Sequence, residues 1–236
     1  EMAAREAETW QKLLRVLTHE ISNSAIPLST LSSYIYEMVT EAHASERRLT
    51  EEERSDMMES LRTIDQRSKS LKEFVHNFRN INQVPEPNLE KVEMLALVNE
   101  SLSLYARELQ KECITLDVKV PGQQFVYADR NLTQQVLINL IKNAVEAMRN
   151  MKNGKHIELA TSPMGTRYLQ LHVRDTGQGI SQEDLDQIFI PFFSTKKGGS
   201  GIGLSISKQI MQKQNGDISV QSVPGRGSVF TLSFTS

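Results

Sequence analysis

The sequence predicts an α+β protein in two parts: an antiparallel helical hairpin that forms a dimeric four-helix bundle, followed by an α/β sandwich. Three observations carry this expectation. All 12 glycines lie at or after Gly122, so the front of the chain lacks the residue that, after proline, most weakens helices. Apolar residues there recur at alternating spacings of three and four, the seam of a coiled coil. After residue 112 the pattern changes to alternation with a period of two.

The first helix carries its seam at Leu14, Leu17, Ile21, Ser24, Leu28, Leu31, Ile35 and Met38, and the second at Met57, Leu61, Ile64, Ser68, Leu71, Val75 and Phe78. A polar, charged stretch at 43–53 joins them. One hairpin cannot cover these seams by itself, so a homodimer is expected, the alternative being a monomeric hairpin packed on the second part. Pro85 and Pro87, within NINQVPEPNLEK, cannot continue a helix and mark a linker. The expected division is a hairpin at 1–83, a linker at 84–90 and a second domain at 91–236. That domain reads as a helix over 95–111, a strand over 113–120 and a long helix over 132–148. Strands over 156–162 and 168–175 follow, then a helix over 202–214 and strands over 217–223 and 228–234.

Composition excludes several classes of function. Lys plus Arg is 27 against 29 for Asp plus Glu, a net charge of −2, which gives no bulk attraction to nucleic acid or to acidic membrane surfaces. Cys113 is the single cysteine, so neither an internal disulfide framework nor a cysteine-rich zinc module is expected. With 39% apolar and 24% charged residues, and no apolar run near the roughly 18 residues of a membrane span, the segment reads as soluble, from a reducing compartment and without membrane contact.

Four stretches carry chemistry. In LTHEISNSAIPL, the heptad puts His19 at the outermost position, where a histidine is ordinarily just solvated. Its neighbours add a second reading. Glu20 can orient an imidazole and take its proton, and Asn23, one turn on along the same face, can position a water. In QQVLINLIKNAVEAM, Asn139 and Asn143 share a helix face with Lys142 beside them. Two carboxamides on an apolar helix need partners, and read alone they fit buried amides satisfied by backbone equally well. In the third stretch Leu169, Leu171, Val173 and Asp175 point one way, leaving a carboxylate at the end of an apolar row before Gly177, Gly179 and Ile180. A buried acid needs a donor. The fourth is IFIPFFSTKKGGSGIGLSISKQIM, where Thr195 and Lys196 lead to Gly199, Gly201, Ile202, Gly203 and Leu204 at a helix start. Backbone amides in such a place bind phosphate. Dinucleotide-binding folds also use glycines this way but need a preceding strand, and here a loop precedes.

Together these stretches resemble, in family order, the phospho-acceptor, N, G1, F and G2 boxes of sensor histidine kinases. VPGRGSVFTLSF is similar to that family's closing strand pair. In most of the family a proline directly follows the asparagine of the phospho-acceptor box. Here Pro27 comes three positions later than that, a variant that looks like the NtrY-like nitrogen-regulation sensor kinases and should move any kink toward the connecting loop.

The resemblance implies a GHKL-type ATP-binding domain using ATP and Mg²⁺, with Asn143 as the metal ligand, Lys142 near the phosphates and Asp175 accepting the adenine amino group. Gly177 and Gly179 would let the backbone approach the base, and 194–199 would form a lid from which Lys196 reaches the γ-phosphate. Asn139, Ile180, Thr195, Gly199, Gly201, Ile202, Gly203 and Leu204 complete the expected nucleotide contacts. His19 would be phosphorylated and would pass its phosphoryl group to an Asp on a response regulator receiver domain, with Glu20 and Asn23 assisting and phosphatase activity as a further expectation. The family also implies a cytoplasmic catalytic portion whose parent is anchored in an inner membrane. Two alternatives stay open: a GHKL-type ATPase, disfavoured because an Asn stands at 139 where those enzymes have a Glu, and a dimeric nucleotide-binding scaffold without kinase activity. Cys113, His43, His76, His156 and His172 match no functional position, and no transition-metal site is expected.

Overall fold

The chain divides into two compact units, Glu1–Asn82 and Gln83–Ser236. The computed structural model describes residues 2–81, 84–164, 168–196 and 201–235. Within these, the side chains of 2–17, 19, 20, 73, 76–81, 164 and 168 lie outside the described set.

The first unit is two helices, α1 (Met2–Ala44) and α2 (Glu51–Ile81), lying against one another. The start of α2 is fixed by a capping box: Glu53 N–H donates to Thr50 Oγ1 at 3.2 Å, and Thr50 N–H donates to Glu53 Oε2 at 2.7 Å. Arg47 adds a two-pronged pair to the same carboxylate, both contacts at 2.8 Å. These bonds, led by Arg47, lower the Glu53 pKa to about 2. Along α1 the expected seam is covered at Ser24 and Met38 and half-covered at Leu28, Leu31 and Ile35, and the next seam position, Ala42, is buried as well. The seam of α2 divides. Met57, Ile64 and Leu71 are half-buried, whereas Leu61, Ser68 and Val75 stand exposed in the single chain. Pro27 sits inside α1, which runs through it without a break.

In the second unit a five-stranded sheet has the order β2-β4-β5-β7-β6, formed by β2 (Thr115–Lys119), β4 (His156–Met164), β5 (Tyr168–Asp175), β6 (Asp217–Val223) and β7 (Gly227–Thr235). The β2–β4 pair is parallel and the rest antiparallel. A separate antiparallel ribbon pairs β1 (Glu90–Glu93) with β3 (Phe125–Ala128). The sequence reading had no strand at either place: Glu90 falls at the end of the expected linker. The single helix expected over 95–111 is two, α3 (Met94–Leu104) and α4 (Ala106–Lys111), parted at Tyr105 with φ −105° and ψ 5°. The long helix is α5 (Arg130–Met148), and α6 (Gln182–Leu185) and α7 (Gly203–Lys213) complete the unit.

Alternation decides the core. Ile157 and Leu159 of β4, Leu171 and Val173 of β5, and Phe230, Leu232 and Phe234 of β7 are buried, as are Val136, Leu137, Leu140, Ile141 and Met148 of α5. At about 1.5–3 kcal/mol for each fully buried large apolar side chain, this layer fixes α5 across the sheet. Asp129 begins α5 and ties it down. Its Oδ1 accepts from Leu132 N–H at 3.0 Å, its Oδ2 accepts from Asn88 N–H at 2.9 Å, and its own N–H donates to the buried Gln214 Oε1 at 2.6 Å.

Candidate functional site

A cleft of about 840 Å³ lies within the second unit, bordered by the C-terminal half of α5, the end of β5, the loop after it, and the start of α7. Asp175 forms part of its floor. It continues the buried row of Leu171 and Val173 but carries a charge, and only 4% of it is exposed. Burial pushes its pKa up, against hydrogen bonds from the N–H groups of Gly177 and Ser228 and the positive field of Lys196, which pull it down. The Gly177 N–H lies 2.7 Å from Asp175 Oδ1.

The loop after Asp175 is stitched to the β6–β7 turn. Gly225 N–H donates to Gln178 O at 2.7 Å, and Ile180 N–H donates to Ser222 Oγ at 2.8 Å. Gly179 makes this approach possible. Its φ is +70°, and a Cβ there would stand 2.2 Å from Val223 O. Past the loop, Ile180, Ile188, Phe193 and Phe230 give the cleft apolar walls.

The other border is polar. Lys142 and Asn143 line the cleft, with Lys196 reaching in from the opposite side. The Lys196 ammonium lies 2.6 Å from Glu146 Oε2 and 3.4 Å from Asn143 Oδ1. The segment bearing Lys196 is pinned at its base, where Phe192 N–H donates to Gly201 O at 2.8 Å. Gly201, Ile202, Gly203 and Leu204 bring the start of α7 to the cleft; α7 has no side-chain cap there, so its first amides present the partial positive charge of a helix start.

The structure therefore brings together Lys142, Asn143, Asp175, Gly179, Ile180, Thr195, Lys196, Gly201, Ile202, Gly203 and Leu204 around one cavity. Two expected contacts sit elsewhere. Asn139 is turned onto α7, its Nδ2 donating to Ser207 Oγ at 3.0 Å. A Cβ on Gly203 would meet Asn139 Oδ1 at 2.2 Å, so the amide fills the space that a glycine leaves at the helix start. Gly177 is buried against Ala147 and Asp175, pressing the loop onto α5 rather than opening it to the cleft. Gly199 lies outside the described residues.

The sequence reading gave Glu146 no role, although it lies one turn past Asn143 and four residues past Lys142. It also missed Phe230 and Ser228, which reach the cleft from β7. On the first unit, His19 and Glu20 fall on α1 with side chains outside the described residues, and Asn23 is exposed on the same helix.

A second titratable cluster appears where none was expected. Asp117, His156 and Glu158 bring ligand atoms within 4.8 Å of one another. Lys119 already bonds both carboxylates, to Asp117 at 3.0 Å and to Glu158, so an internal cation holds the group. Among the described residues no helix is long and apolar enough to cross a membrane.

A mixed sheet under helices, with a cleft joining a buried carboxylate to a glycine-started helix, defines a nucleotide-binding domain. Residues 128–236 match the family of histidine kinase-, DNA gyrase B- and HSP90-like ATPases. The chain carries a histidine kinase catalytic core with this ATP-binding fold. It is 35% identical to the sensor histidine kinase ZraS of Escherichia coli (strain K12) over 147 residues, which is 61% of this chain and 30% of ZraS. It is 25% identical to the nitrogen regulation protein NtrY of Azorhizobium caulinodans over 236 residues, 98% of this chain and 29% of NtrY. The chain thus spans about a third of these relatives. Among solved structures, the catalytic domain of histidine kinase ThkA is 30% identical with a TM-score of 0.56, covering 63% of this chain and 95% of that domain. ThkA in complex with the response regulator protein TrrA aligns over 98% of this chain and 63% of its own, with a TM-score of 0.65 at 22% identity.

Proposed function

We propose that this chain phosphorylates itself on His19 from ATP and passes the phosphoryl group to an Asp of a response regulator receiver domain. The observation that carries the reading is the convergence of Asn143, Asp175, Lys196 and the α7 start on one cleft, in a chain whose α1 bears His19, Glu20 and Asn23.

In this reading adenine lies between the apolar walls with its amino group toward Asp175. The triphosphate runs toward the first amides of α7, where a helix start favours anions. The donors also suit Mg²⁺: the oxygens of Asn143 and Glu146 are of the hard kind it takes, and a cation already lies between them as the ammonium of Lys196. Asn143 and Glu146 would hold Mg²⁺ there, and the ion would supply charge neutralisation for the phosphates. His19 attacks the γ-phosphorus in line, the bond to the ADP oxygen breaks, and Glu20 takes the imidazole proton. Lys142 and Lys196 hold the phosphates, so positioning and charge supply most of the rate.

The exposed half-seam at Leu61, Ser68 and Val75 supports a homodimer in which two copies of the hairpin close a four-helix bundle, since apolar seams of this kind are covered by partner helices. The solved complex of ThkA with TrrA supports a response regulator as partner. By the same family argument, the parent is a membrane-anchored sensor whose catalytic portion lies in the cytoplasm. Asn139 argues against an ATPase, because its amide is committed to Ser207 and an amide cannot be a general base.

The test is incubation with γ-labelled ATP. Label retained on the protein, stable to alkali and lost in acid, is the expected result. Release of free phosphate without labelled protein would point to an ATPase, and neither product would point to a scaffold.

A further inference from the structure

The ion pair inside the cleft is not explained by nucleotide binding alone. Glu146 places a carboxylate where a triphosphate would bring further negative charge, three residues from Asn143 on the same face of α5. Its Oε2 is 2.6 Å from the Lys196 ammonium, and its Oε1 is 4.0 Å from that of Lys142. Lys196 in turn reaches Asn143 Oδ1 at 3.4 Å. One ammonium therefore sits between a carboxylate and a carboxamide oxygen, with 35% of the Lys196 side chain and 26% of the Glu146 side chain exposed. Both are covered enough for the pair to be stronger than a solvated one.

Resting on the nucleotide reading of this cleft, we propose that Glu146 is a positioning residue that exchanges cations. Without nucleotide it holds Lys196 across Asn143. When Mg²⁺ and ATP enter, the metal takes the ammonium's place beside Glu146 and Asn143, and Lys196 is released to the phosphates. The two positive charges are then used in succession by one pair of oxygens. Lys142, one turn back on α5 with its ammonium 4.0 Å from Glu146, limits that carboxylate's repulsion of the phosphates it helps to hold. Such an arrangement penalises ATP that arrives without its metal, because Lys196 must leave Glu146 and nothing replaces it.

Titration calorimetry of ATP into the full chain, in EDTA and in Mg²⁺, tests this with Glu146→Gln, Lys196→Met and the double variant. Both substitutions lie on the cleft surface and keep side-chain volume, and matched melting temperatures of the three variants confirm equal folding. In EDTA, Glu146→Gln is expected to tighten ATP binding. The gain should be about threefold to tenfold larger with Lys196 present than in the Lys196→Met background. Simple relief of charge repulsion would instead give the same gain in both backgrounds. The improvement that Mg²⁺ brings to ATP binding should also shrink by threefold or more in Glu146→Gln. An additive cycle, or an unchanged benefit from Mg²⁺, overturns the exchange while leaving the nucleotide site standing. A wild-type chain that binds no ATP in either buffer overturns the nucleotide reading and the exchange with it.

Discussion

Replacing Asp175 by Asn changes one atom in the cleft and should invert its preference for the base. The carboxylate offers two acceptor oxygens, and the Gly177 N–H at 2.7 Å already takes Oδ1. An amide offers one oxygen only, and the same N–H will claim it, since a buried donor left unpaired costs about 1–3 kcal/mol. The NH₂ group must then take the place of the second oxygen. An adenine amino group would lose a charged acceptor, a bond of about 1.5–3 kcal/mol, or about tenfold to a hundredfold in ATP affinity. Guanine presents a carbonyl at the equivalent atom, so the amide should narrow or reverse the preference for ATP over GTP. The fold loses at most the bond from the Ser228 N–H, the carboxylate's other donor, about 1–3 kcal/mol if that donor is left unpaired. Burial already pushes the Asp175 pKa up, which means that the charge itself is held at a cost the neutral amide does not carry. Competition of ATP and GTP against a fluorescent nucleotide, with melting temperatures as control, provides the measurement. ATP affinity within twofold of wild type and an unchanged ATP-to-GTP ratio would refute the placement of adenine against Asp175.

Three further outcomes follow from named contacts. Asp129→Ala removes acceptors for Leu132 N–H and Asn88 N–H and should cost about 1–2 kcal/mol, lowering the melting temperature of the second unit by about 2–8 °C in a thermal scan. His172, half-buried between Ser162 Oγ at 2.7 Å and Thr231 Oγ1 at 3.0 Å, has its pKa lowered by burial and then by Arg174. The folded state thus binds its proton less readily than the unfolded chain, so its contribution is complete above about pH 6.5 and is lost as the pH falls through the lowered value. His172→Gln should flatten that part of the melting-temperature profile between pH 7.5 and 5. Asn23→Ala should keep most autophosphorylation but lose dephosphorylation of a phosphorylated receiver domain, measured with ADP present, because the exposed carboxamide is the group able to align a water for that reaction.

The longer strands and helices that surround the cleft were legible because each has a strong period, whereas the four-residue α6 was not. β5 and β6 occupy the expected residues, 168–175 and 217–223, since alternation over seven or eight residues leaves little choice of register. The β1–β3 ribbon was not legible. Its strands are four residues each, too short to show a period, and one of them starts where prolines had already suggested a linker. The break at Tyr105 was equally hidden, with no Gly or Pro to mark it. Within the site, the shared face of Asn139 and Asn143 was read correctly, but a face four residues long extends about 6 Å along the axis. Over that distance the neighbour changes from α7, which covers Asn139, to the open cleft at Asn143. Periodicity gives the direction of a side chain and not what stands opposite it. Glu146 was passed over for the same reason: its partner Lys196 is 50 residues away in sequence.

The central claim, that the nucleotide bound in the second unit is used on a residue of the first, is tested most directly by His19→Gln. Incubated with γ-labelled ATP beside the wild type, with peptide mapping of any labelled product, the variant should bind ATP as tightly as wild type and take up no acid-labile phosphate. The wild type should carry its label on His19 alone. Acid-labile phosphate on the His19→Gln chain, or label mapping to any other histidine of the wild type, would contradict the account.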